Sequence, residues 1–196
     1  MSHAPLPSER SQRLSARERL LAAADELFYE GGIHTVGIDR VIERAGVAKA
    51  SLYDCFGSKD ALVRAYLQAR HEARRARIEA RIAAARTPKG KLLAVFDAAA
   101  EAMAEPRYRG CAFSRASAEA QPSEGVRSVC DDARAWLRER LTSLAREAGA
   151  RDAAGLARAL VLLYDGAAVS ALMDANASAA VQARAAAKVM LDAAIG

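Results

Sequence analysis

An all-α protein is what this sequence predicts, and three observations carry the prediction. Of its 196 residues 49 are Ala, the best helix former, whereas the β-branched Val, Ile and Thr together number 20. Apolar residues recur at spacings of three and four along most of the chain. Residues that start and stop helices bracket those periodic stretches. A β-sandwich, a β-barrel and a doubly wound sheet are poor fits to this composition. With 52% hydrophobic residues the chain can bury a sizeable core, which excludes wholesale disorder.

Residues 1–14, with Pro5, Pro7 and several Ser, read as a flexible basic arm. Ser15 and Glu18 fit a capping box, and Leu20, Leu21, Ala24, Leu27 and Phe28 stripe a first helix stopped by Gly31-Gly32. Ile38, Val41, Ile42 and Ala45 fall on one face of a two-turn helix over 38–45. After Gly46-Val47-Ala48 comes a second short helix over 49–56, ended by Gly57. Ser58 caps a long helix reaching about residue 85, with Leu62, Tyr66, Ala69 and Ala73 along its inner face. Thr87-Pro88 opens the next helix, whose buried stripe is Leu92, Phe96, Ala99 and Met103. A shorter helix over 111–120 and a strongly periodic one over 123–148 follow. A helix capped by Asp152 and a last one capped by Ser178, ending near Ile195, bring the expected number to nine.

The formal charge is +5, and it is uneven: residues 1–87 hold 15 basic against 11 acidic side chains, residues 88–196 hold 14 against 13. The basic excess lies with the two short helices, as a nucleic-acid partner would require. No apolar run approaches the ~20 residues of a membrane span, and the N-terminus lacks the apolar stretch of a secretory signal. Cys55, Cys111 and Cys130 are odd in number and far apart, which argues against a disulfide framework and a zinc site. His3, His34 and His71 are isolated, and the chain has no HExxH, no GxSxG and no phosphate-cradling glycine loop. A cytoplasmic, non-enzymatic protein without metal, cofactor or membrane partner is the expectation.

Two short helices joined by a tight turn and held by a preceding third form a helix-turn-helix layout, in which the second short helix fits the major groove. Val47, Leu52 and Phe56 would anchor that helix, leaving Lys49, Ala50, Ser51 and Tyr53 outward. Lys49 can meet a phosphate or the acceptor edge of guanine, and Ser51 and Tyr53 can bond phosphate oxygens. Lys59 sits at the start of the next helix, where backbone N–H groups also draw phosphate. Arg10, Arg13, Arg17 and Arg19, in or just after the arm, can add minor-groove or phosphate contacts. Arg70, Arg74, Arg75, Arg77 and Arg81 read as the solvated face of the long helix.

The stretch IDRVIERAGVAKASLYDCFGSKDALVRAYL, residues 38–67, resembles the DNA-binding domain of the TetR family of bacterial regulators. Gly46-Val47, Ser51-Leu52-Tyr53, Phe56, Lys59 and Leu62 carry the likeness, and the leading helix with Phe28 and Gly31 fits as well. The resemblance implies that Lys49, Ser51, Tyr53 and Lys59 face duplex DNA, with Ala48 at the start of the reading helix. It also implies a larger helical domain that dimerises and binds a small effector. Three positions depart from the family pattern: Ala48 in place of a capping Ser or Thr, Cys55 where His or Tyr is common, and Asp54 beside the reading face. The expected division is thus an arm at 1–14, a helix-turn-helix domain at 15–60 and an effector and dimerisation domain at 61–196.

Within that larger domain the helix after Asp152 is apolar on more than one side, which calls for burial on both. Leu160, Leu163, Gly166, Ala167 and Ala171, with Val181 and Val189 of the last helix, are the expected dimer contacts. Phe96, Met103, Tyr108, Cys111, Phe113, Trp136 and Tyr164 are the expected lining of a pocket for a largely apolar effector. Asp165, inside an apolar run, needs a partner: an Arg at the dimer interface, water, or a polar or cationic ligand. The resemblance makes the expected function a repressor released from a palindromic operator by a small molecule. Two alternatives stand beside it: redox control through Cys55 or Cys111, and a helical protein-interaction module.

Overall fold

The computed structural model describes residues 14–119, 122–176 and 178–195, and Arg13 with the rest of the expected arm lies outside them. Among the described residues there are nine helices and no strand. They are α1 (Ala16–Gly31), α2 (Ile38–Ala45), α3 (Lys49–Phe56), α4 (Lys59–Ala84), α5 (Pro88–Met103), α6 (Ala112–Ala118), α7 (Glu124–Glu147), α8 (Ala153–Met173) and α9 (Ser178–Ala194).

Side-chain caps set most of the starts. The amide of Glu18 donates to Ser15 Oγ at 3.2 Å while the Ser15 amide donates to Glu18 Oε2 at 2.8 Å, a complete capping box. Ser58, Thr87, Ser123 and Asp152 each accept from the amide three residues on. At α9 the cap differs from expectation: Ser178 lies inside the helix, and its amide donates to Asn176 Oδ1 at 2.8 Å. Asn176 places its side-chain oxygen two positions upstream of that amide, the spacing of an Asx turn.

The chain forms two compact units. One gathers residues up to Ala69 with Ala116–Val129, and the other Arg70–Arg115 with the residues from Cys130 onward. The sequence-based boundary at 60–61 falls in the first turn of α4, whereas the first compact unit extends to Ala69 and takes in 116–129.

In the first unit α1 packs on α2 and α3. Leu20, Ala24, Leu27 and Phe28 of α1 are buried with Val41, Ile42 and Ala45 of α2 and Leu52 of α3. Phe28 meets Tyr66 of α4 edge to face, with centroids 5.7 Å apart.

In the second unit α9 lies against both α8 and α5. Leu92, Phe96, Leu137, Leu141, Leu160 and Leu191 form part of its core, and Ala167, Ala171, Ala183 and Ala187 are small enough for α8 and α9 to approach closely. Helix α8, at 21 residues, is long and apolar enough by length and composition to cross a membrane, although it holds no unbroken apolar run of that length. Arg158 and Asp165 interrupt it, and Leu156, Leu160, Val161 and Tyr164 bury one side of it in this core. Those features mark a core helix with a second apolar side.

Leu160 is fully buried at the centre of that core. Leu160→Ala is expected to cost about 2–5 kcal/mol, read as a lowered urea midpoint at unchanged slope.

Candidate functional site

The α2–α3 corner is built by backbone geometry. Gly46 closes α2 in the left-handed region (φ 62°), and its amide donates to the carbonyls of Ile42 and Glu43. Arg19 Nη1 of α1 donates to the Gly46 carbonyl at 3.0 Å, so Arg19 braces the turn instead of reaching an outside partner as the sequence predicts. Helix α3 then starts at extended Ala48 (ψ 151°) without a side-chain cap.

Leu52 is the fully buried anchor of α3, with Val47 and Phe56 half-buried beside it. Ala48, Lys49, Ala50, Tyr53 and Asp54 are exposed and Ser51 is half-buried, so the expected outward set lies on one accessible face. Lys49 Nζ pairs with Asp39 Oδ1 of α2 at 3.0 Å, which raises the pKa of the ammonium group. Both partners are well exposed, and such a pair is weak against competing anions. The Arg17 guanidinium lies over the Phe56 ring, 5.0 Å from its centroid. Lys59 differs from expectation: it is half-buried with its ammonium 5.9 Å from the Phe28 ring centroid, and desolvation lowers its pKa against the pull of Glu119.

The second unit holds a separate cluster. His71 meets Phe113 of α6 and Trp136 of α7 edge to face, at 6.1 and 5.6 Å between centroids. The Arg74 guanidinium stands 4.5 Å from the Phe113 centroid, and its Nη2 donates to the Ala133 carbonyl at 2.6 Å. Arg74 Nε is buried with no hydrogen-bond partner. Burial pushes the Tyr164 phenol up, Cys111 and Asp165 add to this, and Arg74 and Arg77 oppose it. Phe96 packs edge to face on Tyr164 at 6.3 Å, Met103 is buried, and Tyr108 Oη donates to the Ala168 carbonyl at 3.2 Å. The expected pocket residues therefore divide: Phe96, Met103 and Tyr164 belong to the core, while Phe113 and Trp136 surround His71 and Arg74.

Sequence reading missed His71 and Arg74 by assigning the arginines of α4 to solvent. The signal was present: Leu67, His71, Arg74 and Ile78 are spaced four, three and four, and Leu67 and Ile78 are both buried. Ala73, placed on the inner face by the sequence, is exposed. Asp165 finds its partner within the chain, accepting from Arg134 Nη1 of α7 at 2.6 Å.

The expected dimer contacts are also redistributed. Leu160, Ala167 and Ala171 turn into the chain's own core and Leu163 is half-buried, so these are corrected. Helix α8 carries apolar residues on its exposed side as well as toward the core, so periodicity alone does not select the stripe. Leu162, Gly166, Val169 and Met173, again spaced four, three and four, lie along its exposed side, with Leu162 68% and Met173 79% exposed. Val181 and Val189 of α9 are exposed as expected. All three cysteines are reduced thiols; Cys55 and Cys111 are half-buried and Cys130 is buried.

Comparison with known proteins gives a consistent result. A model of the bacterial regulatory proteins of the tetR family matches residues 20–66. The HTH-type transcriptional activator FasR of Mycolicibacterium smegmatis is 46% identical over 64 residues, 31% of this chain, and the match spans only 29% of that relative's length. The crystal structure of a TetR-family transcriptional regulator from Streptomyces coelicolor superposes with a TM-score of 0.87 at 31% identity, covering 92% of this chain and 96% of that one. A tetR-type regulator from Streptomyces avermitilis superposes at 0.80 with 32% identity, covering 92% and 98%.

Burial holds the His71 imidazole below its ordinary pKa; Arg74 and Arg75 push it the same way, and Asp132 and Glu72 pull back. The native state thus takes up this proton later than the unfolded chain as pH falls. The contribution of His71 to stability is complete above its ordinary value of about 6.5 and is lost as pH drops toward the depressed one. Urea midpoints are expected to fall more steeply between about pH 7 and about pH 5 in wild type than in His71→Gln.

Proposed function

This chain belongs to the TetR family of bacterial transcriptional regulators, and within that family we propose that it acts as a cytoplasmic homodimer that binds a palindromic duplex operator and releases it when a small effector binds. The observation that carries the reading is the exposed face of α3, backed by buried Leu52. Ala48 and Ala50 leave the helix start slim enough to approach base edges, and Lys49, Ser51 and Tyr53 supply donors for phosphate oxygens. Lys49 exchanges exposed Asp39 for a phosphate, and Arg17 adds a cation beside the end of α3. Lys59, drawn toward Phe28, serves the face as a partly desolvated flanking charge. Asp54 stands exposed on the same helix and suits a cytosine amino group rather than phosphate. The relative named an activator matches over only 31% of this chain and 29% of its own length, too little to carry the sign of regulation across.

Self-association is supported by the apolar line Leu162, Gly166, Val169 and Met173 on α8, with Val181 and Val189 on α9. Large side chains so exposed on neighbouring helices form a surface that a second copy can cover. A dimer also sets two reading helices one turn of DNA apart, roughly 34–36 Å.

The effector reading rests on the cluster around His71 and Arg74. Phe113 and Trp136 provide ring faces, and the unpartnered Arg74 Nε provides a donor. That combination suits an apolar ring compound bearing an anionic group, a narrower class than the largely apolar ligand expected from the sequence.

Selection of bound sequences from a random duplex pool is expected to return a palindrome, bound with a steep negative dependence on salt; a featureless selection would overturn the reading. Lys49→Ala is expected to weaken binding and to flatten the log–log salt slope by about 0.9 for each phosphate that Lys49 neutralises. Val169→Glu is expected to shift sedimentation toward the monomer and to abolish binding to the full palindrome.

A further inference from the structure

Helix α6 ends at Ala118, and the next residue, Glu119, lies far downstream of the helix-turn-helix sequence yet inside the first compact unit. Its carboxylate accepts two consecutive backbone amides of the α1–α2 turn, from Ile33 at 2.7 Å and from His34 at 2.6 Å. Hydrogen bonds to a charged acceptor are shorter and stronger than neutral ones, and two at adjacent amides fix the peptide plane between them. The turn is shaped to receive the carboxylate. Gly32 has φ +86°, and a Cβ there would stand 3.3 Å from Glu119 Oε1, so both backbone conformation and close approach call for glycine. Behind it, Val36 is buried and its amide donates back to the Gly32 carbonyl at 3.3 Å.

A second contact ties the same downstream segment to the unit. A side chain at Gly125 would meet Arg64 Cδ of α4 at 2.7 Å, and Ala116 and Val126 of the segment are buried. Lys59, at the first residue of α4, feels the Glu119 charge as well. The carboxylate thus binds the turn before α2, and its charge is felt at the helix start after α3.

We infer that Glu119 is a positioning residue for operator binding: by locking the α1–α2 turn it sets where α2 and α3 stand, and it makes residues 116–129 part of the DNA-reading unit. The inference rests on the reading that α3 enters the groove. Phosphate contacts from Lys49, Ser51 and Tyr53 register the protein on the duplex only when the helix carrying them is held in place. Glu119 needs no contact with DNA to exert this effect.

The test uses the full chain, the selected operator in fluorescence anisotropy, and amide hydrogen exchange. Glu119→Ala is expected to weaken operator binding about tenfold, and Glu119→Gln, which retains one accepting oxygen, to weaken it only about threefold. Exchange is expected to quicken at the amides of Ile33 and His34 while the amides of Leu27 and Phe28 in α1 keep their protection. That pairing separates positioning from general destabilisation, which would raise exchange throughout the unit. If Glu119→Ala does not fold, the Gln variant carries the same two readouts. Wild-type affinity in the variants, or unchanged exchange at Ile33 and His34, overturns the inference alone. A wild-type protein that selects no duplex overturns the DNA reading and this inference with it.

Discussion

Helix α3 is only eight residues long, and that constraint governs the unit around it. A helix of two turns does not persist in water on its own, because nucleation fixes several residues before any hydrogen bond is gained. Helix α3 also lacks a side-chain cap at Ala48. Its stability must come from tertiary contacts. Leu52 supplies the burial, Gly46 the abrupt change of direction, and Arg19 a hydrogen bond from α1 onto the turn. Anchoring from beneath leaves the opposite face open, and that face carries Lys49, Ala50 and Tyr53.

Charge in this unit is arranged with restraint. The Lys49 cation on the exposed face of α3 is matched by Asp39, and both side chains stay in water, where such a pair is weak. Two other cations lean on rings, Arg17 on Phe56 and Lys59 on Phe28. A guanidinium on an aromatic face remains charged and keeps its edge donors available. Asp54 is the discordant charge, an exposed carboxylate on the same helix as Lys49.

The second unit distributes its side chains differently. Alanine on α8 and α9 lets the two helices pack closely, and the bulk needed to fill the core comes from Leu and Phe on α5, α7 and α8. The larger residues of α8 that do not fit there, Leu162, Val169 and Met173, are left outside. In the same unit, Arg74 enters an apolar environment, spanning Phe113 and the Ala133 carbonyl beside His71. A buried N–H without an acceptor is costly, so Arg74 Nε is the chemically conspicuous atom of that region.

Composition and periodicity alone determined that the chain is helical, where most helices begin and end, and which short segment forms the helix-turn-helix. These are local properties: a capping box, a glycine stop and a three-four spacing act within a few residues, and Ser15, Thr87 and Gly46 behave as their types require. Lys49 and Tyr53 were legible as outward residues for the same reason, since Leu52 fixes the phase of α3, whereas Ser51 is half-buried. Tertiary structure decided which way an ambiguous helix turns. On α8, apolar both toward the core and on its exposed side, the sequence offered no means of choosing the exposed line. On α4, the polar types of His71 and Arg74 concealed a phase that Leu67 and Ile78 revealed only once both were buried. The pairing of Glu119 with the amides of Ile33 and His34 joins residues 86 and 85 positions apart, and no local rule reaches that far. Contacts of that kind exist only after the chain has folded back on itself.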